Sequence, residues 1–395
     1  MKLETILQAT VFIVSSSWRN RKFRWWNLTL PLAVVGLGLA ALLLVRDATD
    51  AILESADGDF SEVVLDPLAP GFESYVSSTP THLLGIKGAN SELVSIALLS
   101  LFTDDIGGSA VVFPVDLLIT ENASIGEIYS TVSEPEFILE LGRYLKLGFN
   151  AASFIAEADL LDYFELATPL TVLVNDPLIE LDDGQPNVAY ESGQLVLSPS
   201  EVYSYLAWES DDESSYNRWL RHKNFWESWL GSLTGDVAAA LGGKWSEKEL
   251  NRMLQGLSSG DLIIQNLNLL EAEDSNKYLL VEEDSLSVML LETVPFPIAP
   301  FESGRAKIKL LDGIGGVDIV NAFVPKLVAS GAEIKLIGNA EQFGVRESLI
   351  TYYDETYLNF AEAFSVAIGG SSIEFEPLPE SVVDVIILIG GNSIE

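Results

Sequence analysis

The sequence has no cysteine, only two histidines (His82 and His222) and only 3 methionines among its 395 residues. Without cysteine there can be no disulfide, thiolate metal site or thiol nucleophile. With two histidines a His-rich metal site is excluded as well, and a Ser-His-Asp triad would have to use one of them. Positive charge is also scarce. Lys and Arg number 22 against 58 Asp and Glu, for a formal charge of -36. Nucleic-acid binding depends on neutralising phosphates with Lys and Arg, so the composition argues against a nucleic-acid partner. The plainer meaning of such acidity is solubility and adaptation to a saline milieu. Apolar residues are not lacking: at 48% they provide real cores, and the length accommodates two or three domains of about 100–200 residues.

The few cations are unevenly placed. Lys2, Arg19, Arg21, Lys22, Arg24 and Arg46 all fall within the first 46 positions, where Glu4 is the only acid. Leu28 to Val45 follows as an uncharged apolar run that would span about 27 Å as a helix, close to the hydrocarbon thickness of a bilayer. Trp18, Trp25 and Trp26 lie at headgroup depth on its basic flank, and Asp47, Asp50, Glu54, Asp57 and Asp59 follow on the other side. Under the positive-inside rule this predicts a cytoplasmic segment 1–27, a single transmembrane helix 28–45, and the bulk of the chain extracytoplasmic at the cell membrane. A cleaved signal peptide is the competing reading, disfavoured by the length of the run and by Arg46-Asp47 as a cleavage context. A buried core helix is the third, disfavoured by the Arg/Trp collar.

Beyond the anchor, residues 46–80 read as an acidic stalk punctuated by Pro67, Pro70 and Gly71. From 81 to 290 apolar runs alternate with helical periods, the pattern of an α/β domain. Strands are expected at His82–Ile86, Leu93–Leu101, Ala110–Phe113 and Leu170–Val174. Ser133-Glu134-Pro135-Glu136 and Ser198-Pro199-Ser200-Glu201 are capping boxes with proline in the first turn. Helices are expected after each, through Phe154–Phe164, and over the Trp-rich stretch Tyr216–Leu233. Pro295, Pro297 and Pro300 mark 291–304 as a linker. A small α/β domain fills 305–395, with strands at Lys307–Leu311, Glu333–Ile337, Ser348–Tyr352 and Val383–Ile389 and helices at Val317–Ser330 and Glu355–Ala367.

Within this last domain, Lys307-Ile-Lys-Leu-Leu-Asp312-Gly313-Ile-Gly315, Gly338-Asn339-Ala340, Tyr352-Tyr353 and Asp384-Val-Ile-Ile-Leu-Ile-Gly390 occur in an order and spacing that resemble the C-terminal domain of actinobacterial LytR-CpsA-Psr proteins. Asp312 stands where that pattern has Asn, and Asp318 where a later glycine is expected. Residues 81–290 resemble a diverged catalytic domain of the same family. His82-Leu-Leu-Gly-Ile86 matches the opening strand, but Lys87 stands where an aspartate follows, leaving Glu92 as the nearest acid. Val112-Phe-Pro114-Val115-Asp116 is similar to a Ser-Ile-Pro-Arg-Asp segment, with Val115 for the arginine. Ser204-Tyr205-Leu-Ala207-Trp-Glu209 is similar to a Tyr-x-Arg-x-Arg segment without either arginine. Ser215-Tyr-Asn-Arg218-Trp-Leu-Arg221-His222 is similar to Asp-x-x-Arg-x-x-Arg-Gln, with both arginines kept.

The resemblance implies an α/β/α fold around an apolar lipid pocket and transfer of glycans from a polyprenyl pyrophosphate to the wall, assisted by Mg²⁺. Arg218 and Arg221 would then be catalytic, Asp116 would bind ligand or metal, and Trp219 and His222 would contact the ligand. Phosphoryl transfer needs positioning and charge neutralisation more than covalent help. Losing three of five arginines argues against that activity, since one missing donor costs about 10²–10³ in rate.

Each candidate has a structural alternative. Arg218 and Arg221, three apart on one helix face, could cradle an anionic headgroup or pair with Asp211, Asp212 or Glu213. Asp116 could cap a turn, and His222 could be a helix-surface residue. Trp219, Trp226 and Trp229 could line a polyprenyl pocket or simply be core. Asp312-Gly313-Ile-Gly315-Gly316 lacks the full order of a nucleotide loop and reads as a tight turn. The expected function is a non-catalytic or weakly active envelope relative that binds a polyprenyl-phosphate lipid, a wall glycan or another envelope protein. An active glycopolymer phosphotransferase and a purely structural adaptor are the alternatives.

Overall fold

The computed structural model describes residues 64–166, 170–182, 185–210, 213–235, 237, 248–272, 275–378 and 381–394. The expected cytoplasmic segment, the membrane helix at 28–45 and the first part of the stalk lie outside the described residues. Among the described residues no helix is long and apolar enough to cross a membrane.

The fold is mixed α/β. In chain order the first part runs β1 (Glu73–Tyr75), β2 (Thr81–Lys87), β3 (Leu93–Leu101), β4 (Gly108–Phe113), α1 (Ile125–Thr131), α2 (Glu134–Leu145), β5 (Ala151–Ala156) and α3 (Glu157–Glu165). Then come β6 (Leu170–Val174), β7 (Leu178–Asp182), β8 (Gln185–Tyr190), β9 (Gly193–Leu197), α4 (Pro199–Leu206), α5 (Ser215–Ser232), α6 (Lys248–Ser258), β10 (Leu262–Ile264), β11 (Leu269–Ala272), β12 (Ser275–Val281) and α7 (Glu283–Thr293). The last part is β13 (Ala306–Asp312), α8 (Ile319–Ala329), β14 (Ala332–Asn339), β15 (Leu349–Tyr352), α9 (Leu358–Ala367), β16 (Ser372–Phe375) and β17 (Val385–Ile389).

Two sheets carry two hydrophobic cores. The first has five strands in the order β10-β4-β3-β2-β5, with β3 antiparallel to both neighbours and the outer pairs parallel. All nine residues of β3 are buried, which is why its sequence, LVSIALLSL, is a continuous apolar run and not an alternation. Gly85 in β2 pairs with Phe154 in β5. A Cβ at Gly85 would sit 2.4 Å from the Phe154 ring, so only glycine leaves room for it. Phe154 then packs on Tyr129 and Phe137, with ring centroids 5.2 and 5.8 Å away. The expected helix through Phe154–Phe164 is therefore corrected: Phe154 is strand, and the helix begins only at Glu157. Packing across Gly85 outweighs the local helical period. The Ser133 box is also corrected. Its helix and proline are present, but Ser133 makes no side-chain cap, whereas the Glu201 carboxylate does reach back to the Ser198 N–H at 2.9 Å.

The second sheet has six strands, β1-β14-β13-β17-β15-β16. Its edge strand β1 comes from the region expected to be a free stalk, and the reason lies in the Gly338-Asn339-Ala340 motif. A Cβ on Gly338 would fall 2.2 Å from the Phe72 carbonyl oxygen. The Asn339 amide donates to the carbonyls of Pro67 and Ala69 at 2.9 and 2.7 Å. The Ala340 carbonyl accepts from the Gly71 N–H at 3.0 Å. The stretch from Pro67 to Tyr75 is thus sheet edge and not spacer.

The expected linker is likewise packed along its length. Phe296 and Thr79 exchange backbone contacts, the Thr79 N–H reaching the Phe296 carbonyl at 2.9 Å. The Gly148 N–H donates to Ile298 at 2.9 Å, and the Ala299 N–H to the Glu333 carboxylate at 2.9 Å. Arg305 closes this joint. It is buried, and its guanidinium donates to Lys146, Val328 and Ala332 carbonyls at 2.8, 2.9 and 3.0 Å. Burial lowers its pKa to about 10, which still leaves it charged at neutral pH.

Orphaning buried carbonyls costs about 1–3 kcal/mol each. Arg305→Met should therefore uncouple the two sheets. Trp219, Trp226 and Trp229 are buried in the core of the first sheet and Trp208 packs against it, so their fluorescence follows the first. In urea, fluorescence and far-UV circular dichroism should coincide for the native chain and separate for Arg305→Met.

Candidate functional site

The candidate residues meet where α4 ends and α5 begins. Ser214 caps α5, accepting from the Asn217 N–H at 3.2 Å. The Ser215 hydroxyl donates to the Lys277 carbonyl at 2.6 Å and ties the helix start to β12. The helical period then places Arg218, Arg221 and His222 beside the C-terminus of α4, where backbone carbonyls lack intrahelical partners.

Arg221 fills that role completely. Its Nη1 donates to the carbonyls of Tyr205 and Leu206, and its Nη2 to Trp208 at 2.8 Å. Nε and Nη2 also grip the Glu213 carboxylate, at 3.0 and 3.1 Å. A guanidinium has five N–H donors, and all five are engaged. The group lies between the Tyr205 and Trp208 rings, 5.4 and 5.6 Å from their centroids. A cation at a helix C-terminus also opposes the macrodipole. Both side chains of the Arg221–Glu213 pair are nearly inaccessible, at 3% and 4% exposure.

His222 is buried, and the expectation of a helix-surface histidine is corrected. Its Nε2 lies 3.0 Å from the Leu206 carbonyl, an acceptor, so Nε2 carries the proton. Burial and then Arg221 push its pKa well below the usual value.

Trp219 is also corrected as a ligand contact. It is buried, and its indole N–H donates to the Val112 carbonyl at 2.8 Å. Trp226 donates to Ser95 at 2.9 Å and packs edge-on against Trp229 at 5.3 Å. The aromatic group fills the interior where a polyprenyl chain was considered.

Arg218 is half-buried among acids, 3.0 Å from Glu209, 3.4 Å from Glu213 and 3.6 Å from Asp116. Burial raises the Asp116 pKa, against the opposing pull of Arg218 and Ser215. Two guanidiniums therefore face three carboxylates. Glu209, where the resembled segment has an arginine, pairs with Arg218, and Lys87, where an aspartate follows the resembled opening strand, pairs with Glu134 at 2.7 Å. The residues do not fit the Mg²⁺ that the resemblance implied. Among the described residues no three His, Asp or Glu converge on a metal-sized site, and the carboxylate of Asp116 has a guanidinium as its neighbour.

What opens to solvent here is a cleft of about 140 Å³ beside Arg221. Asn175, Asp176 and Pro177, in the turn after β6, line it together with Trp208, Asn217 and the apolar Leu178 and Leu220. Arg221 and Glu213 border it as well. Drug-sized pockets run to about 300–1,000 Å³, so the cleft has room for one ring and not for a lipid chain. Sequence reasoning passed over this lining. An Asn-Asp-Pro turn ending an apolar strand, and a tryptophan set among acids and serines, were the available signals.

The glycine loop of the second sheet is a turn, as read. The buried Asp312 carboxylate accepts from the backbone N–H groups of Ile314, Gly315 and Val317 at 2.8, 3.0 and 3.3 Å. Those are the donors a phosphate would have needed.

No family model and no curated protein matches the chain. Among solved structures it is similar to "LytR-Csp2A-Psr enzyme from Actinomyces oris", at 13% identity over 59% of this chain and 96% of that one, with a TM-score of 0.44. It is similar to "TagT bound to LIIa-WTA" at 13% identity, 60% and 96% coverage and a TM-score of 0.43. "B. subtilis TagV" is similar at 14% identity, 55% and 98% coverage and 0.41. Scores below 0.5 at such identity assign no activity to this chain.

Two outcomes follow from the buried groups. Arg221→Met strands the buried Glu213 and should cost about 3–5 kcal/mol in urea unfolding, only part of it recovered when Glu213→Leu is added, because the Tyr205, Leu206 and Trp208 carbonyls still lack their donor. Acid should also destabilise the fold. Burial lowers the His82 pKa to about 4, and His222 is lowered too, while unfolded histidine titrates near 6.5. The unfolded chain therefore takes up protons first, so stability complete above pH 6.5 is lost as pH falls towards 4. His82 alone accounts for about 3 kcal/mol. Asp116, shifted upward, works in the opposite sense. Urea midpoints should drop between pH 7 and pH 5, and His82→Gln should flatten that drop.

Proposed function

We propose that this is a membrane-anchored, extracytoplasmic protein of the cell envelope that holds a wall glycan in the Trp208 cleft and does not transfer it. The basic, tryptophan-rich collar before Leu28–Val45 supports the anchor and its orientation. The observation that carries the binding reading is that carboxylates already match the charge of both arginines. Arg221 has every donor engaged, and Arg218 has Asp116, Glu209 and Glu213 around it. A pyrophosphate arriving here would find no free cation, whereas phosphoryl transfer depends on such cations. An uncharged polyhydroxylated ring finds what suits it: an aromatic side chain, amide and carboxylate groups, and apolar carbon.

The test uses the full chain in nanodiscs. Purified envelope polysaccharide should bind, and Trp208→Ala should weaken binding at least about tenfold, the effect typical of losing an aromatic anchor. Incubation with a polyprenyl-pyrophosphate-linked glycan and Mg²⁺ should yield no transfer. Turnover that disappears in Arg218→Ala/Arg221→Ala would establish the phosphotransferase instead.

A further inference from the structure

We infer that the Trp208 cleft selects its glycan by charge, accepting an uncharged or amine-bearing sugar ring and rejecting one that carries phosphate or carboxylate. The inference rests on the glycan-binding reading and deepens it. It starts from Asp176, which is exposed on the cleft wall and has no ion-pair partner among the described residues. The cation that lines the cleft, Arg221, offers no N–H to a newcomer. Its charge is matched by Glu213, within hydrogen-bond distance on two edges. The field inside the cleft is therefore set by the unmatched Asp176.

A phosphate or carboxylate substituent placed in so small a space would lie within several ångströms of Asp176. Like charges at about 6–7 Å repel enough, at the dielectric of a surface cleft, to cost roughly tenfold in affinity. A neutral ring escapes this penalty. Its hydroxyls can donate to Asp176 and exchange hydrogen bonds with Asn175 and Asn217, with Trp208 beside the ring. An amine-bearing ring gains from the same carboxylate. The cleft is thus acidic where the family pattern quoted above is cationic.

The experiment compares N-acetylglucosamine, glucosamine and N-acetylglucosamine 6-phosphate against the full chain in phosphatidylcholine nanodiscs, by saturation-transfer NMR with and without Trp208→Ala. N-acetylglucosamine and glucosamine should bind in a Trp208-dependent way, with the phosphate ester at least about tenfold weaker. Asp176→Asn, on an exposed turn, should narrow that gap about threefold or more. Raising salt should narrow it too, since an exposed charge is screened. Binding of the phosphate ester as tight as that of the neutral sugar would overturn the selectivity and leave glycan binding standing. If neither these sugars nor purified envelope polysaccharide bound the native chain, the glycan reading itself would fall, and the selectivity with it.

Discussion

The buried pair of Arg221 and Glu213 is the constraint on which the rest of the site depends. Removing two charges from water is costly unless every remaining donor is satisfied. Here Arg221 meets that condition by binding the three carbonyls at the end of α4 as well as the carboxylate. One interaction therefore stops a helix, fixes the approach of α5, and sets Trp208 beside a small cleft. The same geometry removes Arg221 from any contest for a ligand. A residue can cap a helix or grip a phosphate, and with five donors engaged it does the first.

That reasoning separates shape from charge. Apolar strands, aromatic packing and capped helices build a sheet-and-helix body without reference to the sign of the surface. The polar residues around Arg218 are mostly acids, Asp116, Glu209 and Glu213. Glu209 and Lys87 each form an ion pair of their own, so these charges are accommodated in the structure.

The second sheet shows how a motif can be read correctly and still hide its purpose. In sequence, Gly338-Asn339-Ala340 is one motif of a resemblance. In the structure it is the dock for residues 67–75: glycine because a carbonyl of that stretch passes where a side chain would be, asparagine because its amide holds two more. Together with Arg305 at the joint between sheets, this dock gives the edge of the sheet a defined partner in place of an open row of backbone groups.

What the sequence by itself determined was local or one-dimensional. Apolar runs located β2, β3 and β4, because strands buried on both faces need no partner to be recognised. Helical spacing put Arg218 and Arg221 on one face and raised Glu213 as a partner for them. The scarcity of cations already argued against a phosphate grip. Only the tertiary structure decided what depends on distance in space. It turned Phe154 into a strand residue across from Gly85, buried His222 and Trp219, and recruited the presumed stalk as an edge strand. It also brought Asn175 and Asp176 to one cleft with Trp208. Those positions lie more than thirty residues apart, and their meeting is set by how α5 packs on the sheet, which no local pattern encodes.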